Sequence, residues 1–219
     1  MLKADLHVHT RYSMDCTTSL DEILERCVEL GINCLAVADH GTIEGALKMK
    51  AVAPFSIIVA EEILTPSGEI MGMFLSESVP SKLSAEETIN RIKAQDGLVC
   101  IPHPYDRVRP SAFNSSRELQ KVMPFVDIIE VFNARSLFPG SRTRAQQLAR
   151  KFGKLVSAGS DAHTASEIGN VYVQMPEFTG KDEFLTSLAQ AKIFGHKSSP
   201  LVHLASTRNK LRKNISQRD

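Results

Sequence analysis

No apolar run in this chain approaches the roughly 18 residues that would span a bilayer, so nothing in it points to a membrane-embedded protein. The four cysteines, Cys16, Cys27, Cys34 and Cys100, include no CxxC pair. A chain of 219 residues buries enough core to do without disulfide staples, so they are expected to be reduced thiols. Excess charge of either sign is also missing: the formal net charge is +1, which gives no overall field to recruit a polyanion. The one local excess is Arg208, Lys210, Arg212, Lys213 and Arg218, read as a peripheral basic tail over residues 201–219 rather than a nucleic-acid arm. The opening MLKADLHVHT has no apolar h-region and no small-residue cleavage site, so a cytoplasmic protein is expected. No internal repeat, low-complexity segment or obligate protein partner is evident.

What is present is an ordinary globular balance, 42% hydrophobic and 23% charged, expected to form one domain over residues 1–200. Short β-rich runs alternate with amphipathic helical stretches, the pattern of an α/β protein built on a parallel sheet or barrel. Strands are expected at residues 3–8, 34–38, 56–59, 70–75, 98–101, 126–132 and 155–158. Pro66-Ser67-Gly68 reads as a hairpin turn. Capping boxes at Ser19-x-x-Glu22 and Ser84-x-x-Glu87 open helices, Gly31 closes the first, and further helices are expected at 45–52, 143–152 and about 182–191. Past Val171 the pattern fades to an edge strand, that last helix and an irregular tail.

Five of the seven histidines, His7, His9, His40, His103 and His163, fall at or just beyond the carboxyl ends of these strands. Asp5, Asp15, Asp39, Glu62 and Asp161 accompany them. In barrels and open parallel sheets the loops after the strands converge on one face, so ligands remote in sequence can meet there. His7-x-His9 sets two imidazoles on one face of an extended strand, and Asp161-x-His163 repeats the spacing. Imidazole with carboxylate suits Zn, Mn or Fe. His196, His203 and Lys197-Ser198-Ser199 read as surface or turn residues, and Phe132, Phe138 and Phe178 as core packing rather than base-stacking platforms.

Set side by side, Asp5-Leu6-His7-Val8-His9-Thr10, Ala38-Asp39-His40-Gly41, Glu62, Pro102-His103-Pro104 and Gly159-Ser160-Asp161-Ala162-His163 resemble, in order and over about three quarters of the chain, the PHP (polymerase and histidinol phosphatase) family. The resemblance implies a distorted seven-stranded β/α barrel of TIM-like, PHP type holding two or three divalent metals at its carboxyl-end face. One metal would take His7, His9, Glu62 and Asp161; a second would share Glu62 and add His103; a third would take Asp15, His40 and His163. The family's Gly-x-Glu pattern, here Ala60-Glu61-Glu62, favours Glu62 as the bridge and leaves Glu61 as the alternative one position away. Met71 departs from the pattern: many members carry a histidine there as a ligand of the second metal, and a thioether is a poor ligand for such cations.

The implied activity is a metal-dependent phosphoesterase that hydrolyses a phosphomonoester of a small molecule, a nucleotide or an oligonucleotide end through a metal-bridged hydroxide. Asp161, His163 and Arg107 are the expected catalytic residues, with His163 or His40 protonating the leaving alkoxide. Arg107, Arg109 and Arg135 are candidate contacts to the substrate phosphate, Arg107 first. An amidohydrolase-like C–N hydrolase and a non-catalytic metal-binding module are the competing readings.

Overall fold

Segments such as Cys34-Leu-Ala-Val-Ala-Asp-His40 are apolar on both faces, which suits strands with helices outside them and a packed interior behind them. The computed structural model describes residues 1–202, and in it nine strands form one sheet in the order β7-β6-β5-β4-β3-β2-β1-β8-β9. The strands are β1 (Leu2–Val8), β2 (Cys34–His40), β3 (Ser56–Thr65), β4 (Gly68–Met73), β5 (Leu98–Ile101), β6 (Ile128–Asn133), β7 (Leu155–Gly159), β8 (Val171–Met175) and β9 (Lys192–Gly195). Helices α1 (Leu20–Leu30), α2 (Glu44–Val52), α3 (Ala85–Ala94), α4 (Ser116–Val122), α5 (Ser141–Phe152) and α6 (Gly180–Leu188) lie between them. β4 runs antiparallel to β3, as a hairpin at residues 66–67 requires, and also to β5, while β1–β2–β3 and β5–β6–β7 pair in parallel.

The sheet nearly closes on itself as a barrel. At its carboxyl end β1 meets the chain leaving β7: Asp161 N–H donates to the His7 carbonyl at 2.7 Å, and His9 N–H to the Ala162 carbonyl at 3.0 Å. At its amino end β1 pairs instead with β8, Leu2 opposite Met175 and Ala4 opposite Val173. The barrel therefore shuts only where the histidines are. One hydrophobic cluster packs helices against the outside of the sheet, with Ile23, Met49, Ile89 and Leu148 over Val37, Val59, Val99 and Ile129. A second fills the interior from Ala4, Leu6, Ala36, Ile58, Met71, Cys100 and Ile128.

Strict alternation would turn His7 and His9 outward, because Leu2, Ala4 and Leu6 point inward. A register irregularity between Asp5 and Val8 resets the parity, so Val8 joins the outer cluster. Asp5 secures this kink from the outer side, accepting from the backbone N–H groups of Ser160 and Gly169 at 2.9 Å and of His7 at 3.4 Å. Closure also depends on Gly159, where a Cβ would lie 2.5 Å from the His7 Cβ and 2.7 Å from its backbone nitrogen. Gly159→Ala is expected to cost about 1–3 kcal/mol, the usual penalty of overpacking. A thermal melt of metal-free protein checks this, and an unchanged midpoint would show that β1 and β7 can part without cost.

Several elements differ from the sequence reading. β3 continues to Thr65, past the expected end at 59, and residues 116–122 form α4 between the expected strands at 98–101 and 126–132, where no helix was expected. Ser115 caps α4 by accepting from Glu118 N–H at 3.3 Å, so the same Ser-x-x-Glu signal that opens α1 and α3 was present there. β9 replaces part of the irregular end and, with β8, extends the sheet beyond seven strands. From residue 203 on, the basic tail and His203 lie outside the described residues. Among the described residues no helix is long and apolar enough to cross a membrane.

Candidate metal centre

Because parallel strands end on one face, β1, β2, β3 and β7 deliver ionisable side chains to a single floor. His7 and His9 Nε2 lie 3.2 Å apart. Each is 3.4 Å from Glu62 Oε2, and they are 3.8 and 3.2 Å from Asp161 Oδ1. The other Glu62 oxygen, Oε1, faces His103 Nε2 at 2.7 Å. Glu62 thus presents one oxygen to His103 and the other to His7 and His9. On the far side Asp15 Oδ2 lies 3.2 Å from His163 Nε2 and 3.6 Å from His40 Nε2.

Residues His7, His9, Asp15, His40, Glu62, His103, Asp161 and His163 all come together here, in three contiguous groups. Glu61 does not join them. The pleat turns it to the opposite face, where its Oε2 accepts from Val79 N–H at 2.8 Å. Asp39 is also structural: Thr10 donates to it from both backbone and hydroxyl at 2.6 Å, and Gly45 leaves the room this needs.

These donors fit divalent cations. Glu62 Oε2 and Asp161 Oδ1 are wholly buried and have no hydrogen-bond partner, a costly state for a carboxylate that a bound cation would relieve. The histidines are also set as ligands. His7 Nδ1 bonds Glu130 Oε1 at 3.1 Å, and His163 Nδ1–H donates to the Asp161 carbonyl at 2.8 Å, leaving both Nε2 atoms turned to the centre. Burial and the neighbouring His9 push His163 down to about 4, so it is a neutral imidazole, suited to a metal ligand rather than a proton donor.

Two of these residues sit on strained backbone. His103 has φ 31° and Asp161 φ 55°, in the left-handed region that non-glycine residues seldom adopt. Pro102 and Pro104 force the chain out of the strand at His103.

Sequence reasoning missed two carboxylates. Glu130 on β6, besides holding His7, accepts from the His103 N–H at 2.8 Å and from Asn133 Nδ2 at 3.0 Å. Its signal was a charge inside the otherwise apolar run Ile128-Ile-Glu-Val-Phe. Glu69 on β4 lies beside His103 and His40, at 3.7 and 3.8 Å. Only the β3–β4 register, Leu64 opposite Glu69, could reveal it.

A cavity of about 500 Å³ opens over this floor, walled by Arg109, Arg135, Lys82 and Ser111 with apolar Met14, Leu64, Val108 and Leu137. The leading expectation among the arginines needs correction. Arg107 is exposed and rests over the Phe138 ring at 5.5 Å, outside the cavity lining. Arg109, two residues on, turns inward and donates to Asp161 Oδ2 at 2.5 Å. Arg135 lines the cavity but is engaged by Glu167 at 3.4 Å and by the Val202 carbonyl at 3.2 Å. Phe132 and Phe178 pack in the interior cluster.

The carboxylates also tune the imidazoles. Burial alone would lower His40, yet Glu62 and Asp15 outweigh it and raise the ring to about 10; His7 is held well above its ordinary value in the same way by Glu130, Glu62 and Asp161. In metal-free protein the stabilisation from the raised His40 is full below its ordinary value near 6.5 and fades as pH rises toward 10. Metal must displace these protons, so metal uptake is expected to release protons at neutral pH and to strengthen as pH rises. Titration calorimetry in buffers of different ionisation enthalpy measures this, and uptake without proton release would contradict it.

The chain is similar to known proteins in sequence and fold. The PHP domain profile matches residues 5–60 and the PHP-associated profile residues 139–193, which between them contain all the expected ligands except Glu62 and His103. An uncharacterized protein of Methanocaldococcus jannaschii is 34% identical over 179 residues, covering 80% of this chain and 71% of its own. Among solved structures, a two-domain protein of Bacteroides vulgatus containing a predicted PHP-like metal-dependent phosphoesterase superposes with TM-score 0.67 at 19% identity, over 89% of this chain and 65% of that one. The lesion-specific endonuclease of Pyrococcus furiosus superposes with TM-score 0.61 at 16% identity, over 91% of this chain and 59% of that one. With the expected ligand residues assembled at the closed end of the barrel and a relative matched over most of both chains, this protein belongs to the PHP family.

Proposed function

We propose that the protein hydrolyses a phosphomonoester, carried by a small molecule, a nucleotide or the end of a short oligonucleotide, at a cluster of two or three Mn, Zn or Fe ions. The observation that carries this reading is the pairing of Glu62 Oε2 and Asp161 Oδ1, buried and without donors, with His7 and His9 beneath an open, arginine-walled cavity. His7, His9, Glu62 and Asp161 would hold one ion, Glu62 and His103 a second, and Asp15, His40 and His163 a third. Divalent ions supply a Lewis acid and a nucleophile available at neutral pH. The four cysteines, free and buried, suit a reducing compartment such as the cytoplasm.

The chain's own part is to position and neutralise. Asp161 divides its oxygens, Oδ1 toward His7 and His9, Oδ2 toward Arg109 and Asn133. Arg109 thereby sits at the edge of the metal floor, with its remaining N–H groups available to phosphoryl oxygens. His40 lines the cavity and is the imidazole with access to a leaving group. Arg109→Ala is expected to lower kcat/KM by about 10²–10³, as loss of one donor to developing charge does elsewhere, whereas Arg107→Ala should change it little. Steady-state kinetics on the two variants decides between these arginines.

The test of the function is a panel of phosphomonoesters, bisphosphate nucleotides and short oligonucleotides, assayed for inorganic phosphate with Mn, Zn and Fe. Metal-dependent phosphate release is expected. Turnover of lactams without phosphate release, or full metal occupancy with no turnover at all, would overturn the proposal.

A further inference from the structure

We propose that Glu69 is a metal ligand, completing with Glu62 and His103 a carboxylate-rich second site that accepts Mn more readily, relative to Zn, than a histidine-rich site does. The inference rests on the metal-centred reading above but not on the reaction assigned to it. In the β3–β4 hairpin Glu62 stands opposite Met71 and Leu64 opposite Glu69, so Glu62, Met71 and Glu69 share the inner face. Met71 packs among the interior apolar residues and offers no hard donor. Glu69 stands one pleat nearer the carboxyl end of β3, level with the cavity it lines. Its Oε2 is 3.7 Å from His103 Nε2, which in turn is 2.7 Å from Glu62 Oε1. Its Oε1 is 3.8 Å from His40 Nδ1, which is 3.4 Å from Glu62 Oε2, the buried oxygen that lacks a donor.

Such a carboxylate, with only a 6% exposed side chain, is otherwise unexplained in a hairpin strand. Its one short bond is from the Ser111 hydroxyl to Oε2 at 2.6 Å, and its backbone N–H donates to the Ser111 carbonyl at 2.8 Å. Ser111 therefore orients Glu69 from the loop that follows His103, as hydrogen-bonded partners orient ligating carboxylates. Two carboxylates and one imidazole form a harder donor set than a histidine-rich site, which narrows the advantage that Zn holds over Mn. Ser111 is a positioning residue here, since it acts through Glu69.

The experiment is to strip full-length protein of metal, reconstitute it with Mn or Zn, count bound ions by elemental analysis and measure affinities by calorimetry. Glu69→Gln keeps the volume and the Ser111 bond, and circular dichroism verifies its fold. It is expected to lose one Mn equivalent per chain, or to bind that ion at least tenfold more weakly, with a smaller effect on Zn. Glu69→His should restore the count with the preference turned toward Zn, and Ser111→Ala should weaken the same ion about tenfold. A Glu69→Gln protein that binds as many ions as the parent, equally tightly, would overturn the proposal. If the parent shows no phosphatase activity yet Glu69→Gln still loses an ion, the proposed function fails and the Glu69 assignment stands.

Discussion

Replacing Asp161 with asparagine is expected to lower phosphate release by roughly three orders of magnitude in kcat/KM, about 4 kcal/mol of transition-state stabilisation. Asp161 serves two partners at once. Its Oδ1 faces His9 at 3.2 Å and its Oδ2 holds Arg109 at 2.5 Å, so losing its charge weakens a ligand and releases the arginine. Burial works against its ionisation, but Arg109 and His7 hold it well below the usual carboxylate range, so at neutral pH it is an anion. Asparagine is the informative substitution because it tolerates the left-handed backbone at φ 55°, where alanine would add strain. The variant should keep its circular dichroism spectrum. A phosphate assay showing activity within tenfold of the parent would remove Asp161 from the reaction.

Chelation should have the largest effect on stability. Each ion bound at a hundred times its dissociation constant stabilises the folded chain by about 2.7 kcal/mol. Two such ions would contribute about 5 kcal/mol, which for a domain of this size corresponds to roughly 10–20 °C in the melting midpoint. The physical source is local: without metal, Glu62 Oε2 and Asp161 Oδ1 stay buried with no hydrogen-bond partner, beside imidazoles at 3.2–3.4 Å. Scanning fluorimetry with EDTA, then with excess Mn, tests this, and coincident melting curves would mean that the cluster binds no ion of consequence.

The strand-end histidines were legible because apolar runs are short and each stops at its histidine: Cys34-Leu-Ala-Val-Ala before Asp39-His40, Leu98-Val-Cys-Ile before Pro102-His103. Helix starts were legible for an equally local reason, the Ser-x-x-Glu capping signal, and α4 was overlooked only because that signal at Ser115 sits in a polar stretch. What escaped depends on pairing rather than on pattern. Choosing Glu62 over Glu61 needed the actual pleat of β3, and Glu69 needed the register of a hairpin whose length the sequence leaves open. The inward turn of His7 and His9 depends on an irregularity in β1 held by Asp5, a residue that carries no metal role itself. Arg107 and Arg109 are alike in an irregular loop; only the folded chain separates the one lying on Phe138 from the one reaching Asp161.

Crystals grown with Mn and measured for anomalous scattering test the central claim most directly. The account predicts a strong peak within ordinary coordination distance, about 2.0–2.3 Å, of His7 Nε2, His9 Nε2, Glu62 Oε2 and Asp161 Oδ1, with a second on the His103 side of Glu62. A map without such peaks at saturating Mn, or with the ion bound elsewhere on the chain, would contradict it.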